Sequence, residues 1–202
     1  MNVPDFMPRL RSGAGDTPKD GGCLVQVAGF LNDGVSWVDD TPCVHPMLRS
    51  VGILTNDSVD GDMRQELLPL APRLIGTGLT GDVVEDRRVM TALVEWCVRD
   101  AQWSGDPEGA ATAARYAEAY RLKLAVADTF DFDPQHYAGV VANIVSNSAA
   151  RVAGIGCSGR ARVGFLVRLI DEYDRITGRE VSGKTVSDAD WKRVTEHIKA
   201  NA

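Results

Sequence analysis

The 202-residue sequence lacks any apolar run close to the roughly 20 residues that a membrane-spanning helix needs. Residues 1–22 contain no apolar core of the kind found in a secretory signal, so we expect a cytoplasmic protein. The P-loop, the serine-hydrolase motif and the His-Glu-x-x-His motif are absent as well. These absences exclude several common enzyme classes, and they favour a protein that is not an enzyme.

Cysteine and histidine are scarce, with four and three copies, and no Cys-x-x-Cys pair is present. A zinc ribbon and a thioredoxin-like motif are therefore not expected. Cys23, Cys43 and His45 offer zinc ligands, with Asp39 or Asp40 as a fourth. The spacing between Cys43 and His45 is unusual for structural zinc and favours buried thiols without a cofactor. A Cys43 nucleophile activated by His45 is a further alternative, and it requires the imidazole to fold back onto the thiol.

The net charge of −6 argues against general nucleic-acid binding. Its distribution is uneven, because residues 1–150 contain 12 basic and 21 acidic side chains while residues 151–202 contain 10 and 7. We interpret the small basic excess of the second part as a complement to the acidic part of the same chain. The alternative is an acidic partner that binds the basic part.

Apolar residues recur at helical spacing along most of the chain, and no segment alternates with a period of two. The clearest helix is expected at residues 82–103. A first helix is expected at residues 23–31, with one apolar face, and an alanine-rich helix at roughly residues 108–127. A further helix is expected to begin at Pro134 and to break at Gly154. We predict an all-α fold, a compact bundle of about seven to eight helices, with either a short hairpin or a loop near residues 180–186. The expected organisation is a flexible N-terminal arm at residues 1–21, a helical domain at 22–178 and a basic helical appendage at 179–202.

Two segments, residues 76–81 and 154–159, match the pattern Gly-x-Gly-x-x-Gly. Each is expected to lead into a helix, whose first N–H groups can hold an anion. No strand precedes either segment, as the dinucleotide fingerprint requires, so a helix end followed by a helix start is the main interpretation. The second segment is the better anion candidate, and its residues are Gly156, Gly159, Arg160 and Arg162.

Polar and aromatic side chains that could bind a ligand are concentrated between residues 22 and 77. The candidates are Trp37, Asp39, Asp40, His45, Asn56, Asp57 and Arg73. Adjacent acidic residues such as Asp39 and Asp40 are more typical of solvated helix starts than of a catalytic pair.

The order of several motifs resembles a family of uncharacterised helical proteins from actinobacteria and their phages. The resemblance covers residues 20–103 and is carried by Cys23-Leu24, Pro42-Cys43, Pro46, Asn56-Asp57, Leu68-Pro69 and the run Pro-Arg-Leu-Ile-Gly-Thr at 72–77. It implies a shared helical fold and no established activity. Relatives have Glu at the position of Gln26 and Ser-Asp-His before the Pro-x-Cys motif, whereas residues 38–41 here are Val-Asp-Asp-Thr. If those family positions do chemistry, this chain lacks part of it.

Together these features predict a non-enzymatic binding protein, phage-encoded and acting in the host cytoplasm on a host protein or a small ligand. One alternative is an enzyme or metal-binding protein with a site around Asp39, Cys43, His45 and Asn56. Another is a nucleic-acid accessory factor that uses residues 179–202. We expect a protein partner and no membrane contact, and a homo-oligomer is compatible with the sequence.

Overall fold

A computed structural model describes residues 9–125, 133–154 and 156–180. Within these residues every regular element is a helix, which confirms the all-α prediction. The elements are α1 Leu24–Asp33, α2 Pro46–Ser58, α3 Gly61–Gln65, a 3₁₀ turn Leu68–Leu70, α4 Ala71–Leu74, α5 Val83–Trp103, α6 Pro107–Ala125, α7 Pro134–Ala153 and α8 Ser158–Thr177. The hairpin considered near 180–186 and the last predicted helix lie outside the described residues.

The described residues form two compact units. The front unit comprises residues 9–45 and 52–78, and the four-helix unit comprises residues 46–51 and 79–180. The first turns of α2 therefore belong to the four-helix unit, while the rest of α2 belongs to the front unit. No helix in the described ranges is long and apolar enough to cross a membrane. The domain boundaries predicted at residues 21 and 178 stay predictions.

The front unit is built around α1, whose first seven residues are buried on every side. Residues 24–30 are all buried, although the sequence pattern predicted only one apolar face. Because almost every side chain of this helix is apolar or small, it can be covered all round. Gly34 ends α1 with a left-handed φ of 75°, and its N–H donates to the carbonyl of Phe30 at 2.8 Å. Helix α1 packs against the short α4.

The four-helix unit contains α5 to α8, with α7 packed against each of the other three. Asp82 begins α5, because its carboxylate accepts hydrogen bonds from the N–H groups of Val84 and Glu85 at 2.9 and 3.2 Å. Ala113 and Ala117 are fully buried on α6, and their small size allows neighbouring helices to approach closely. The same pattern of alanines had predicted this helix from the sequence.

Candidate functional site

All seven ligand-binding candidates lie in the front unit, at four places along the chain. Trp37, Asp39 and Asp40 lie in the loop after α1, and Asn56 and Asp57 lie near the end of α2. His45 directly precedes α2, and Arg73 lies in α4. Asn56 and Asp57 are brought together, because the Asn56 Nδ2 donates to the Asp57 Oδ1 at 3.0 Å.

Asn56 and Asp57 hold residues 11–13, which have no regular secondary structure. The Asn56 Nδ2 donates to the Arg11 carbonyl at 2.7 Å, and its Oδ1 accepts from the Leu24 N–H at 3.3 Å. The Asp57 carboxylate accepts from the Gly13 N–H at 2.7 Å. Asn56 is completely buried, and its amide nitrogen and amide oxygen each bind a backbone group. These contacts give the pair a structural role.

Gln26 makes the same kind of connection and was not among the sequence candidates. Its Oε1 accepts from the N–H groups of Gly15 and Cys23, both at 3.0 Å. Its Nε2 donates to the carbonyls of Gly15 at 3.0 Å and Trp37 at 3.3 Å. Gln26 is only 2% exposed, and it joins the irregular N-terminal segment, the start of α1 and the following loop. The glutamine three residues after the Cys23 cap position was the available signal, since this is the reaching-back residue of a capping box.

The segment from Asp33, the last residue of α1, to Asp40 is fixed by its own hydrogen bonds, and we call it the acidic loop. The Asp33 Oδ1 accepts from the N–H groups of Val35 and Ser36, each at 2.8 Å. Trp37 packs edge-on against Phe30, with ring centroids 5.6 Å apart, and its carbonyl is held by Gln26. The backbone is therefore defined at two points of the loop, as expected for an Asx-turn followed by an anchored aromatic residue.

Two apolar side chains of the acidic loop point into solvent. Val35 is 73% exposed and Val38 is 51% exposed. Asp39 is half-buried and Asp40 is exposed next to them. No Lys or Arg occurs in residues 31–48, and Asp40 already interacts with another group of the chain. The loop thus presents apolar and negatively charged groups on a fixed backbone.

His45 and Cys43 lie where the acidic loop leads into α2. His45 is 2% exposed, and its backbone N–H donates to the Thr77 Oγ1 at 3.0 Å. The Gly78 N–H donates to the Cys43 carbonyl at 3.0 Å. Burial raises the pKa of the Cys43 thiol, even though its Sγ lies 3.3 Å from the Thr41 hydroxyl. A raised pKa keeps the thiol protonated and works against the Cys43 nucleophile considered from the sequence.

The proposed zinc ligands are not assembled. Across the residues that the structure describes, no three His, Cys, Asp or Glu side chains are grouped as a metal ion would require. Cys23, Cys43 and His45 therefore do not form the metal site that the sequence left open. Burial also raises the pKa of the Cys23 thiol, which is 1% exposed at the start of α1. Cys23 fits the alternative of a buried thiol, whereas Cys43 is half-buried.

Each of the two glycine-rich segments leads into a helix, the first into α5 and the second into α8. In the first, the Asp86 carboxylate accepts from the Thr80 N–H at 2.8 Å and from the Gly81 N–H at 3.1 Å, so the chain's own side chain occupies the loop donors. In the second, Gly156 precedes α8, whereas Gly159 and Arg160 lie in its first turn.

Arg162 of the anion candidate turns toward α7. Its Nη1 donates to the Asn147 Oδ1 at 2.7 Å, and burial lowers the pKa of the guanidinium. Arg160 is exposed. Among the described contacts, none joins Arg160 or Arg162 to Gly156 or Gly159.

Comparison of the chain with protein-family models, with curated proteins and with solved structures finds no match. The resemblance to proteins of actinobacteria and their phages stays an interpretation of the sequence.

Proposed function

We propose that this chain is a non-enzymatic binding protein and that the acidic loop is its contact surface for a protein partner. The observation that carries the proposal is the exposure of Val35 and Val38, at 73% and 51%, on a backbone that Asp33 and Gln26 hold in place. A surface that is already ordered loses little conformational entropy on binding. The acidic side chain of Asp39 favours a partner segment that carries a basic group beside apolar residues.

The roles of the other polar residues support binding over catalysis. Asn56 and Gln26 are used by the backbone, and burial keeps the thiols of Cys23 and Cys43 protonated. Asn56, one of the candidates for an enzyme site, is thus engaged in holding the irregular segment at Arg11. The phage-related context, with a partner from the host, rests on the sequence resemblance and belongs to the same proposal.

The test compares two pairs of exposed valines. One tagged variant carries Val35→Ser and Val38→Ser, and the control carries Val83→Ser and Val84→Ser, whose valines are 61% and 78% exposed on α5. Fully burying one valine is worth about 1.5–3 kcal/mol, so losing the two partly exposed valines should weaken a complex by about 2 kcal/mol, or ~30-fold. Affinity capture from an actinobacterial lysate, followed by titration of the purified partner, measures this loss.

The proposal expects a stoichiometric complex with the wild type and the control, and a loss with the loop variant. The complex should also weaken as salt is added, because the acidic groups are at the surface. Equal binding by the loop variant would show that another surface is used. Turnover of a substrate by the purified protein, unaffected by the loop substitutions, would show that the protein is an enzyme.

A further inference from the structure

The most exposed aromatic side chain of the described residues lies at one end of the four-helix unit. Trp103, the last residue of α5, is 88% exposed. A Cβ placed on Gly105, in the turn after α5, would lie 3.9 Å from the Cγ1 of Val152, which is itself 51% exposed near the end of α7. The Arg151 guanidinium reaches the Asp106 carboxylate across the same end at 2.6 Å. Trp103 and Val152 therefore belong to one end of the unit, which we call the Trp103 end.

The N-terminal part of α8 reaches the same level. Helices α5 and α8 run antiparallel, because Arg168 binds Asp100 at 3.0 Å while Arg88, far earlier on α5, reaches the carbonyl of Ile176 at 3.3 Å. This pairing places Trp103 level with residues 161–165 of α8. The arginines at positions 160 and 162 therefore lie near the Trp103 end.

The charges at this end are unbalanced toward the positive. The carboxylates of Asp100 and Asp106 are both occupied in ion pairs with arginines. Arg99, one helical turn before Trp103, and Arg160 are exposed and have no carboxylate partner among the described residues. Glu108 is exposed in the first turn of α6 and is the opposing charge. The surface thus combines an exposed indole with two available guanidinium groups.

We propose that the Trp103 end is a second docking surface and that it binds an acidic segment of a protein partner containing apolar residues. Tryptophan and arginine are the residues that most often dominate the energy of protein interfaces. The proposal concerns a surface separate from the acidic loop and stands without the function proposed above. A nucleic acid is disfavoured because the described part of the four-helix unit has 13 basic and 13 acidic residues, and so lacks a basic field.

The chemistry of the partner can be read from an unbiased selection. A bead-displayed library of random dodecamer peptides is selected on the immobilised wild-type chain, and the recovered peptides are tested on three variants. Trp103→Ser removes the indole, Arg99→Gln combined with Arg160→Gln removes the available charges, and Leu122→Ser is the control. Leu122 is 62% exposed near the other end of α6.

We expect recovered peptides rich in Asp, Glu and apolar residues. Trp103→Ser should weaken their binding about 30-fold, as for an interface hot spot. The arginine variant should weaken binding several-fold and reduce its salt dependence, and Leu122→Ser should leave binding unchanged. All these substitutions are at exposed positions, and unchanged thermal unfolding of each variant confirms that the fold is intact.

Three results would overturn the proposal. The first is recovery of basic or neutral peptides, of no peptides, or of peptides that Trp103→Ser still binds. The second is binding of single-stranded oligo-dT that Trp103→Ser abolishes, which would assign the surface to nucleic acid. The third is self-association in sedimentation experiments that Trp103→Ser abolishes, which would make a second copy of the chain the occupant.

Discussion

Replacing Gln26 by Glu tests whether this side chain is a structural connector. The substitution keeps the shape of the side chain and the Oε1 that accepts from Gly15 and Cys23. It replaces the Nε2 donor by an oxygen that would face two carbonyl oxygens, those of Gly15 and Trp37, at 3.0 and 3.3 Å in the wild type. An ionised carboxylate at this buried position would therefore be repelled by two acceptors.

The expected loss of stability at neutral pH is about 4 kcal/mol. Each of the two hydrogen bonds that Nε2 donates is worth about 1 kcal/mol. Leaving the buried carbonyls unsatisfied and burying a charge adds a further ~2 kcal/mol. These conditions favour the protonated acid, so the pKa of Glu at position 26 should lie above its reference of about 4.3 in the folded state. Protonation restores one donor, and most of the loss should then be recovered.

The direction of the pH effect follows from this raised pKa. Above the folded-state pKa the variant is ionised in both states and the full loss is present. As the pH falls from the folded-state pKa to about 4.3, the folded state binds the proton first, and stability rises by about 1.4 kcal/mol for each pH unit. Below about pH 4.3 the recovery is complete.

Hydrogen exchange of residues 10–26 and urea unfolding, each followed across this pH range relative to the wild type, measure the effect. Gln26→Met is the control without a titratable group, and it removes all four hydrogen bonds of the amide. At about 1 kcal/mol for each bond its loss should be about 4 kcal/mol, and it should be independent of pH relative to the wild type. A Gln26→Glu variant that is as stable as the wild type at neutral pH, or that follows the pH profile of the methionine variant, would refute this reasoning.

Three further predictions concern stability and reactivity. Arg151 lowers the pKa of the Asp106 carboxyl to about 2. The stabilising contribution of this ion pair should therefore be present above about pH 4 and lost as the pH falls toward about pH 2. Asp106→Asn should remove this acid-sensitive part of the free energy of unfolding, measured by urea titration. Gly78→Ala would place its Cβ 2.0 Å from the Pro42 carbonyl oxygen, so a clear drop in melting temperature is expected, and an unchanged value would contradict the geometry. Cys157 is exposed and should react with maleimide far faster than the buried cysteines, as peptide mapping by mass spectrometry can show.

The helices were predictable wherever a strong local signal marked their ends. Helix α5 was expected at residues 82–103 and spans Val83–Trp103, because the Asp82 cap and the apolar period both lie within the segment. Helix α7 begins at the predicted Pro134 and ends at Ala153, before Gly154. Helix α1 extends two residues beyond the predicted end, since the left-handed Gly34 stops it. In each case the boundary is set by residues that are neighbours in the sequence.

The contacts of the candidate residues were not predictable from the sequence. The sequence identified Asn56 and Asp57 as candidate ligand-binding residues, but their partners Arg11 and Gly13 are more than 40 residues away. A hydrogen bond from a side chain to a distant backbone leaves no periodic pattern in the sequence. For the same reason, spacing alone could not show whether Cys23, Cys43 and His45 come together, and the described residues contain no group of three possible metal ligands.

The amide side chains of the front unit have a common physical cause. Residues 11–15 belong to no helix, so their N–H and carbonyl groups need other partners when the segment is packed against the fold. An amide supplies a donor and an acceptor together, and Gln65 shows the same use by accepting from the Leu10 N–H at 3.1 Å and donating to the Leu10 carbonyl at 2.7 Å. A carboxylate cannot donate and a lysine cannot accept, so neither can replace these amides. Amides that bind the backbone in this way are not available to a ligand. The proposed binding surfaces therefore consist of exposed residues such as Val35 and Trp103.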